Sequence, residues 1–194
     1  MIAIGQYNDL KVVQKTEKGL ILTDGDKEVL LPYHLVPATL EIGGDLNAFV
    51  YTDKDGSLLA TTKRPSACVG DFAFLTVIDA TDDGVFMDLG IDKDIYVPNR
   101  EQKRPMFKGD KHVVYVFLDD SNDRMVASSR LTNFIEEDDI DLEEGDEVSL
   151  LIVDRSDLGF NAIIESKDRG KAGFSVPAHG LYLSEIEYGY LRKT

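Results

Sequence analysis

Tryptophan is absent from this chain of 194 residues, cysteine occurs once, and no apolar run approaches the roughly 20 residues that a membrane-spanning helix needs. The lone Cys68 cannot form an internal disulfide and has no companion in a metal-binding spacing, so it reads as a small buried apolar residue. The three histidines, His34, His112 and His179, are scattered without ligand spacing. No phosphate-cradling Walker loop, dinucleotide fingerprint or nucleophile elbow is present. No catalytic residue, metal ligand or cofactor is therefore expected. No basic-then-apolar leader opens the sequence, and the chain is expected to be soluble and cytoplasmic.

Positive charge is also scarce. Lys and Arg number 21 against 36 Asp and Glu, a formal net charge of -15, which at first argues against a polyanionic partner. The acid is unevenly distributed, however: nine acidic residues and no basic one lie between Glu136 and Glu147. Such a run reads as a solvated, self-repelling tether. Hydrophobic residues make up 43% of the chain, enough for globular folding on both sides of it.

What the chain does have is a glycine ladder. Gly5 and Gly19, Gly70 and Gly84, and Gly145 and Gly159 share one spacing. Gly25 matches Gly90, Gly44-Asp45 matches Gly109-Asp110, and Gly70-Asp71 matches Gly145-Asp146. Between these glycines lie three copies of one pattern: a β-branched run, a short polar turn ending in Gly, and a second run. At the turn-ending position Gly suits a hairpin that needs positive φ. In "VFMDL", Val85, Met87 and Leu89 alternate with Phe86 and Asp88, the period of a half-buried strand with Phe86 outward. A later strand pair with an Asp-rich turn follows in the first two copies.

Five short antiparallel strands per copy, with no long helical period, predict an all-β fold of tandem five-stranded OB-type barrels. Closure into a barrel removes strand edges that would pair with other chains. The expected units are barrel 1 over 1–64, barrel 2 over 65–133, an acidic linker over 134–144 and a partial or degenerate third barrel over 145–194. In the third copy Ser184 stands where a Gly should open the second strand pair, and "KAGFSVPAHG" interrupts the expected third strand. That unit is expected to be the least stable. Whether "FIEEDDIDL" is a turn of helix or extended is not decided by its pattern.

The second copy resembles an S1-type RNA-binding domain in Val69-Gly70-Asp71, in Asp82-Asp83-Gly84-Val85-Phe86-Met87, and in the run from Asp119 through Arg124 to Ser128-Ser129. More narrowly, "DIYVPNREQ" (94–102) and "VVYVFLDDSNDRMVASSRL" (113–131) resemble the conserved virulence factor B family, bacterial proteins with several S1-like barrels followed by a winged helix. Against that pattern the third barrel is expected to be cut short, and no winged helix is expected within residues 145–194. The resemblance implies single-stranded RNA as ligand, held by outward aromatics on the second and third strands with basic residues beside them. Of the two hairpin aromatics only Phe86 remains; Asp83 stands at the other place. Lys18 and Ile21 occupy these places in the first copy, and Leu158 and Asn161 in the third. Tyr33 and His34 are candidate substitutes in the first.

Phe86 can stack on any base, and its alternative is a surface Phe covered by a neighbouring domain. The loop "NREQKRPMFKGD" gathers Arg100, Lys103, Arg104 and Lys108 around Phe107 with one acid, Glu101, a phosphate footprint or a solvated loop. Arg124 stands where the family places an Arg, and could instead pair with Asp119 or Asp120. Tyr96 and Arg130 complete the candidate RNA-binding set. Two readings follow: a non-catalytic binder of single-stranded RNA in bacterial gene expression or virulence regulation, or a protein-interaction module of decayed barrels that meets a basic partner.

Overall fold

The structure, a computed structural model, describes residues 1–135, 149–156, 159–166 and 170–177. The chain divides into two compact units, 1–129 and 130–194. The first unit holds two closed barrels, and no α-helix occurs among the described residues. β1 (Gln6–Lys15), β2 (Gly19–Thr23), β3 (Glu28–Pro32), β4 (Asp45–Thr52) and β5 (Leu58–Thr61) close in the order β1-β2-β3-β5-β4. β6 (Phe72–Ala80), β7 (Gly84–Met87), β8 (Ile95–Pro98), β9 (Lys111–Asp119) and β10 (Arg124–Ser128) repeat that topology. Pro32 and Pro98 end their strands, since proline offers no N–H to the ladder, and each is followed by one 3-10 turn, Tyr33–Leu35 and Asn99–Glu101.

Alternation fills the interiors. Leu10, Val12, Leu20, Leu22, Val29 and Leu31 pack inside the first barrel. Leu75, Val77, Val85, Met87, Ile95 and Val97 pack inside the second. Each such side chain contributes about 1.5–3 kcal/mol on burial. Cys68, expected to be buried, is only partly so, packed against the second core.

The repeat extends to irregularities. β1 is bulged between Val12 and Gln14, and β6 between Val77 and Asp79. In the second unit β11 (Ser149–Ser156) is bulged between Ile152 and Asp154. It pairs with β12 (Gly159–Ser166), which pairs with β13 (Gly170–Pro177) in a three-stranded antiparallel sheet. The stretch expected to interrupt the third strand thus supplies β13, with Phe174 opposite Ala162. The whole acidic run, 136–147, and Leu158 lie outside the described residues; Asn161 lies on β12 opposite Ser175.

Two glycine expectations are corrected. Gly19 and Gly84 do not have positive φ. They are required because a Cβ would stand 2.1 Å from the Leu31 carbonyl oxygen and 2.4 Å from that of Val97. Gly43 and Gly109, not Gly44 and Gly109, are the structural equivalents: each has positive φ, and each donates its N–H to the bulge, to Val12 and Val77. The second barrel carries one more residue between Gly90 and Pro98 than the first does between Gly25 and Pro32, which displaces the register by one.

The barrels are joined by a packed seam. In β4, Ala48 and Val50 point into the first barrel, while Phe49 and Tyr51 on the opposite face join the core cluster of the second. Lys93 is half-buried there; its ammonium lies 5.9 Å from the centre of the Tyr51 ring and donates to the Thr52 carbonyl. Burial pushes the Tyr51 phenol up to about 12 and the Lys93 ammonium down. At the seam's edge Asp92 accepts from Lys63 and lies 2.9 Å from His34 Nε2.

Candidate nucleic-acid interface

In OB barrels the second and third strands, with the loops joining strands 1–2 and 4–5, form the oligonucleotide face. In the second barrel these are β7, β8, the turn 81–83 and the turn 120–123. Phe86 and Tyr96 are cross-strand partners on that face. Their ring centroids are 5.1 Å apart with planes inclined at 39°. Such a pair is worth about 0.5–1.5 kcal/mol beyond its burial and holds both rings in place. The Tyr96 hydroxyl donates to the Asp83 carbonyl at 2.8 Å, and the Asn99 amide donates to the same oxygen at 3.0 Å. Asp83 therefore anchors Tyr96 through its main chain.

The sequence offers Phe86 and Tyr96 as separate candidates, with Asp83 at the place of a second hairpin aromatic. The ring that faces Phe86 is Tyr96, supplied by the neighbouring strand. The signal was the equal distance of Phe86 from Gly84 and of Tyr96 from Pro98, two residues that the ladder sets opposite each other.

The basic loop spans 99–110, between β8 and β9. Its ends flank the aromatic pair. At one end Arg100 is near enough to Tyr96 to counter the rise in its phenol pKa, which burial and the Asp83 charge produce. Its guanidinium also reaches Asp119 at 3.6 Å. At the other end the Lys108 ammonium lies 3.9 Å from Asp79, the cross-strand partner of Phe86 on β6. Phe107 is 66% exposed, with its amide tied to the Asp110 carboxylate at 3.0 Å. Lys103 and Arg104 are exposed, with no ion pair among the described residues.

Arg124 is exposed and reaches across to the first barrel. Its guanidinium donates to the main-chain carbonyl of Lys54 in the first barrel, while Asp119 pairs with Arg100. Arg130 is exposed, one residue before the 3-10 turn Leu131–Asn133, in the second unit. In the first barrel Leu30 occupies the strand position of Tyr96, and His34 is drawn to Asp92 at the seam. Tyr33 stays outward, 41% exposed.

Acid is concentrated elsewhere on the first barrel. An open cleft of about 480 Å³ is lined by Asp9, Asp24, Asp45 and Asn47 with one base, Lys11, at the end of the β1–β2 hairpin away from Tyr33. Among the described residues no cluster of His, Cys, Asp or Glu could hold a metal ion, and no helix is long and apolar enough to cross a membrane.

Two closed five-stranded barrels in tandem, one carrying a paired aromatic platform beside a basic loop, define an OB-type binding protein. Residues 4–63 and 69–130 each match the S1 domain, and the chain belongs to that family. Its relatives place it with tandem S1 proteins of the conserved virulence factor B type. It is 33% identical over 140 residues to the uncharacterized protein YitL of Bacillus subtilis, across 69% of this chain and 46% of YitL. It is 36% identical over 58 residues to conserved virulence factor B of Staphylococcus epidermidis, across 30% of this chain and 20% of that protein. The matched regions thus span less than half the length of these curated relatives. A crystal structure of a multidomain protein with nucleic acid binding domains from Streptococcus pneumoniae has the same fold, with a TM-score of 0.59 at 17% identity. That similarity covers 83% of this chain and 59% of the other.

Proposed function

We propose that this chain binds single-stranded RNA without acting on it chemically, in the cytoplasm of a bacterium, as part of the control of gene expression. The observation that carries this reading is the Phe86–Tyr96 pair on the second and third strands of the second barrel. Bases of a single strand stack on such rings whatever their identity, at about 1–3 kcal/mol per base. Arg100, Lys103 and Arg104 in the adjoining loop supply phosphate contacts, and Phe107 offers a further ring. Arg124 acts from the seam.

The test is a competition series with the whole chain: labelled oligo-uridine displaced by unlabelled oligo-uridine, oligo-thymidine, an RNA duplex and a lysine-rich peptide. The reading predicts displacement by the two single strands, the RNA more effectively, and none by the duplex. A second reading, a module for a basic protein partner, is favoured by the acidic turns Asp82-Asp83 and Asp119-Asp120 that border the same face. It predicts capture of the lysine-rich peptide and no binding of oligo-uridine.

A further inference from the structure

The first barrel presents its own ring and charges beside the seam. The Lys15 ammonium sits 5.8 Å from the centre of the Tyr33 ring, a cation–π pair, while the Tyr33 hydroxyl donates to the Thr16 carbonyl at 2.6 Å. Tyr33 comes from the 3-10 turn after β3 instead of from the strand, but it leans on the β1–β2 turn much as Tyr96 leans on the β6–β7 turn of the second barrel. The ring is thus fixed at one edge, with 41% of the residue open to solvent.

A line of charges and hydrogen bonds runs from this ring towards the platform of the second barrel. Lys18 lies in the same turn as Thr16, and its charge adds to the lowering of the Asp55 carboxyl in the β4–β5 turn, which hydrogen bonds from Ser57 chiefly produce. The β4–β5 turn then meets the β9–β10 turn of the second barrel. Thr52 Oγ1 donates to the Asp123 carbonyl at 3.0 Å, and Arg124 donates to the Lys54 carbonyl. Asp119, opposite Arg124 in the β9–β10 ladder, holds Arg100, which borders Tyr96. Exposed cations recur along this line at Lys18, Lys54, Arg124 and Arg100.

The seam fixes the spacing of the two rings, since Phe49 and Tyr51 are buried against the second core. A strand long enough to reach both sites meets a prepositioned second contact, which raises its affinity through effective concentration.

We infer that one single strand crosses both barrels along the joined β4–β5 and β9–β10 turns, stacking on Tyr33 as well as on the Phe86–Tyr96 pair. This inference rests on the proposed RNA binding. Site sizes of about 4–16 nucleotides per OB barrel set the lengths to compare. The experiment titrates the full chain, and its Tyr33→Leu, Tyr33→Phe and Lys15→Ala/Lys18→Ala variants, against oligo-uridines of about 4 and about 16 nucleotides, with thermal unfolding to verify folding.

The expected result is that Tyr33→Leu weakens the longer oligomer about fivefold or more and leaves the shorter one, seated on Phe86, unchanged. Tyr33→Phe, which keeps the ring, retains binding, and the double Lys variant weakens only the longer oligomer. If both lengths bind the Tyr33→Leu and wild-type chains equally, the two-barrel path is overturned while RNA binding at Phe86 stands. If neither oligomer binds the wild-type chain, both readings are overturned.

Discussion

Phe86 and Tyr96 face each other across the β7–β8 ladder with ring centroids 5.1 Å apart, and the Tyr96 hydroxyl is tied to the Asp83 carbonyl. The arrangement fixes two rings without closing either from solvent: both residues are only partly buried. Phe86→Ala or Tyr96→Ala is expected to weaken oligo-uridine binding by about 1–3 kcal/mol each. Tyr96→Phe keeps the ring and loses one hydrogen bond, at about 0.5–1.5 kcal/mol of stability. Fluorescence titration and urea denaturation of the three variants separate the two effects.

The loop cations are expected to act through phosphate and so through salt. For single strands the slope of log K against log salt changes by about 0.7 per phosphate contact. Lys103→Ala/Arg104→Ala therefore lowers the slope by about 1.4 with little change in thermal stability. Titrations at four salt concentrations measure this; an unchanged slope places both residues outside the contact.

The turn glycines divide into two kinds. Gly84→Ala places a Cβ 2.4 Å from the Val97 carbonyl oxygen, against backbone that cannot swing aside. A loss of about 1–3 kcal/mol or more is expected. Gly25→Ala meets nothing within 4 Å but sits at φ +98°, and costs about 1–2 kcal/mol from backbone conformation alone. Gly25→Asn, which tolerates positive φ better, recovers part of that loss, whereas Gly84→Asn does worse than Gly84→Ala. Urea midpoints of the four variants decide it.

Glycine spacing and strand alternation carried most of the fold in plain sight, because each is a local demand of a closed barrel. Three things were hidden. The reason for Gly84 lay in the facing strand, 13 residues away. The extra residue before Pro98 could not be located by matching glycines, since Gly43 and Gly44 are adjacent. The seam was invisible because alternation in "DLNAFVYT" says that Phe49 and Tyr51 share a face, not what covers it. The candidate site was half legible for the same reason: Phe86 showed in its hairpin, while Tyr96 became its partner only through the register.

The seam carries an acid-sensitive link. Hydrogen bonds from Lys63 and then His34 hold the Asp92 carboxyl below its ordinary value. A carboxyl depressed in the folded state binds protons more readily when unfolded, so its contribution is present above the unfolded pKa, about 3.9, and fades as pH falls through the lower folded value. The stability difference between wild type and Asp92→Asn is expected to shrink as pH drops from 5 towards 2. Urea denaturation across that range tests it; a constant difference shows that the charge is not what matters.

Phe49 is fully buried although it points away from its own barrel. Phe49→Ala is expected to cost about 3–5 kcal/mol. Because the lost contacts join two barrels, calorimetry is expected to show their shared transition splitting or broadening, where a core change such as Leu22→Ala lowers it as one.

The most direct measurement is the affinity of the whole chain for labelled oligo-uridine over a range of salt, for wild type and Phe86→Ala in parallel. The account predicts binding that weakens steeply as salt rises, and a Phe86→Ala chain about fivefold or more weaker at every salt with the same slope, since stacking is lost and phosphate contacts remain. Equal affinity of the two chains, or no measurable binding at low salt, would contradict it.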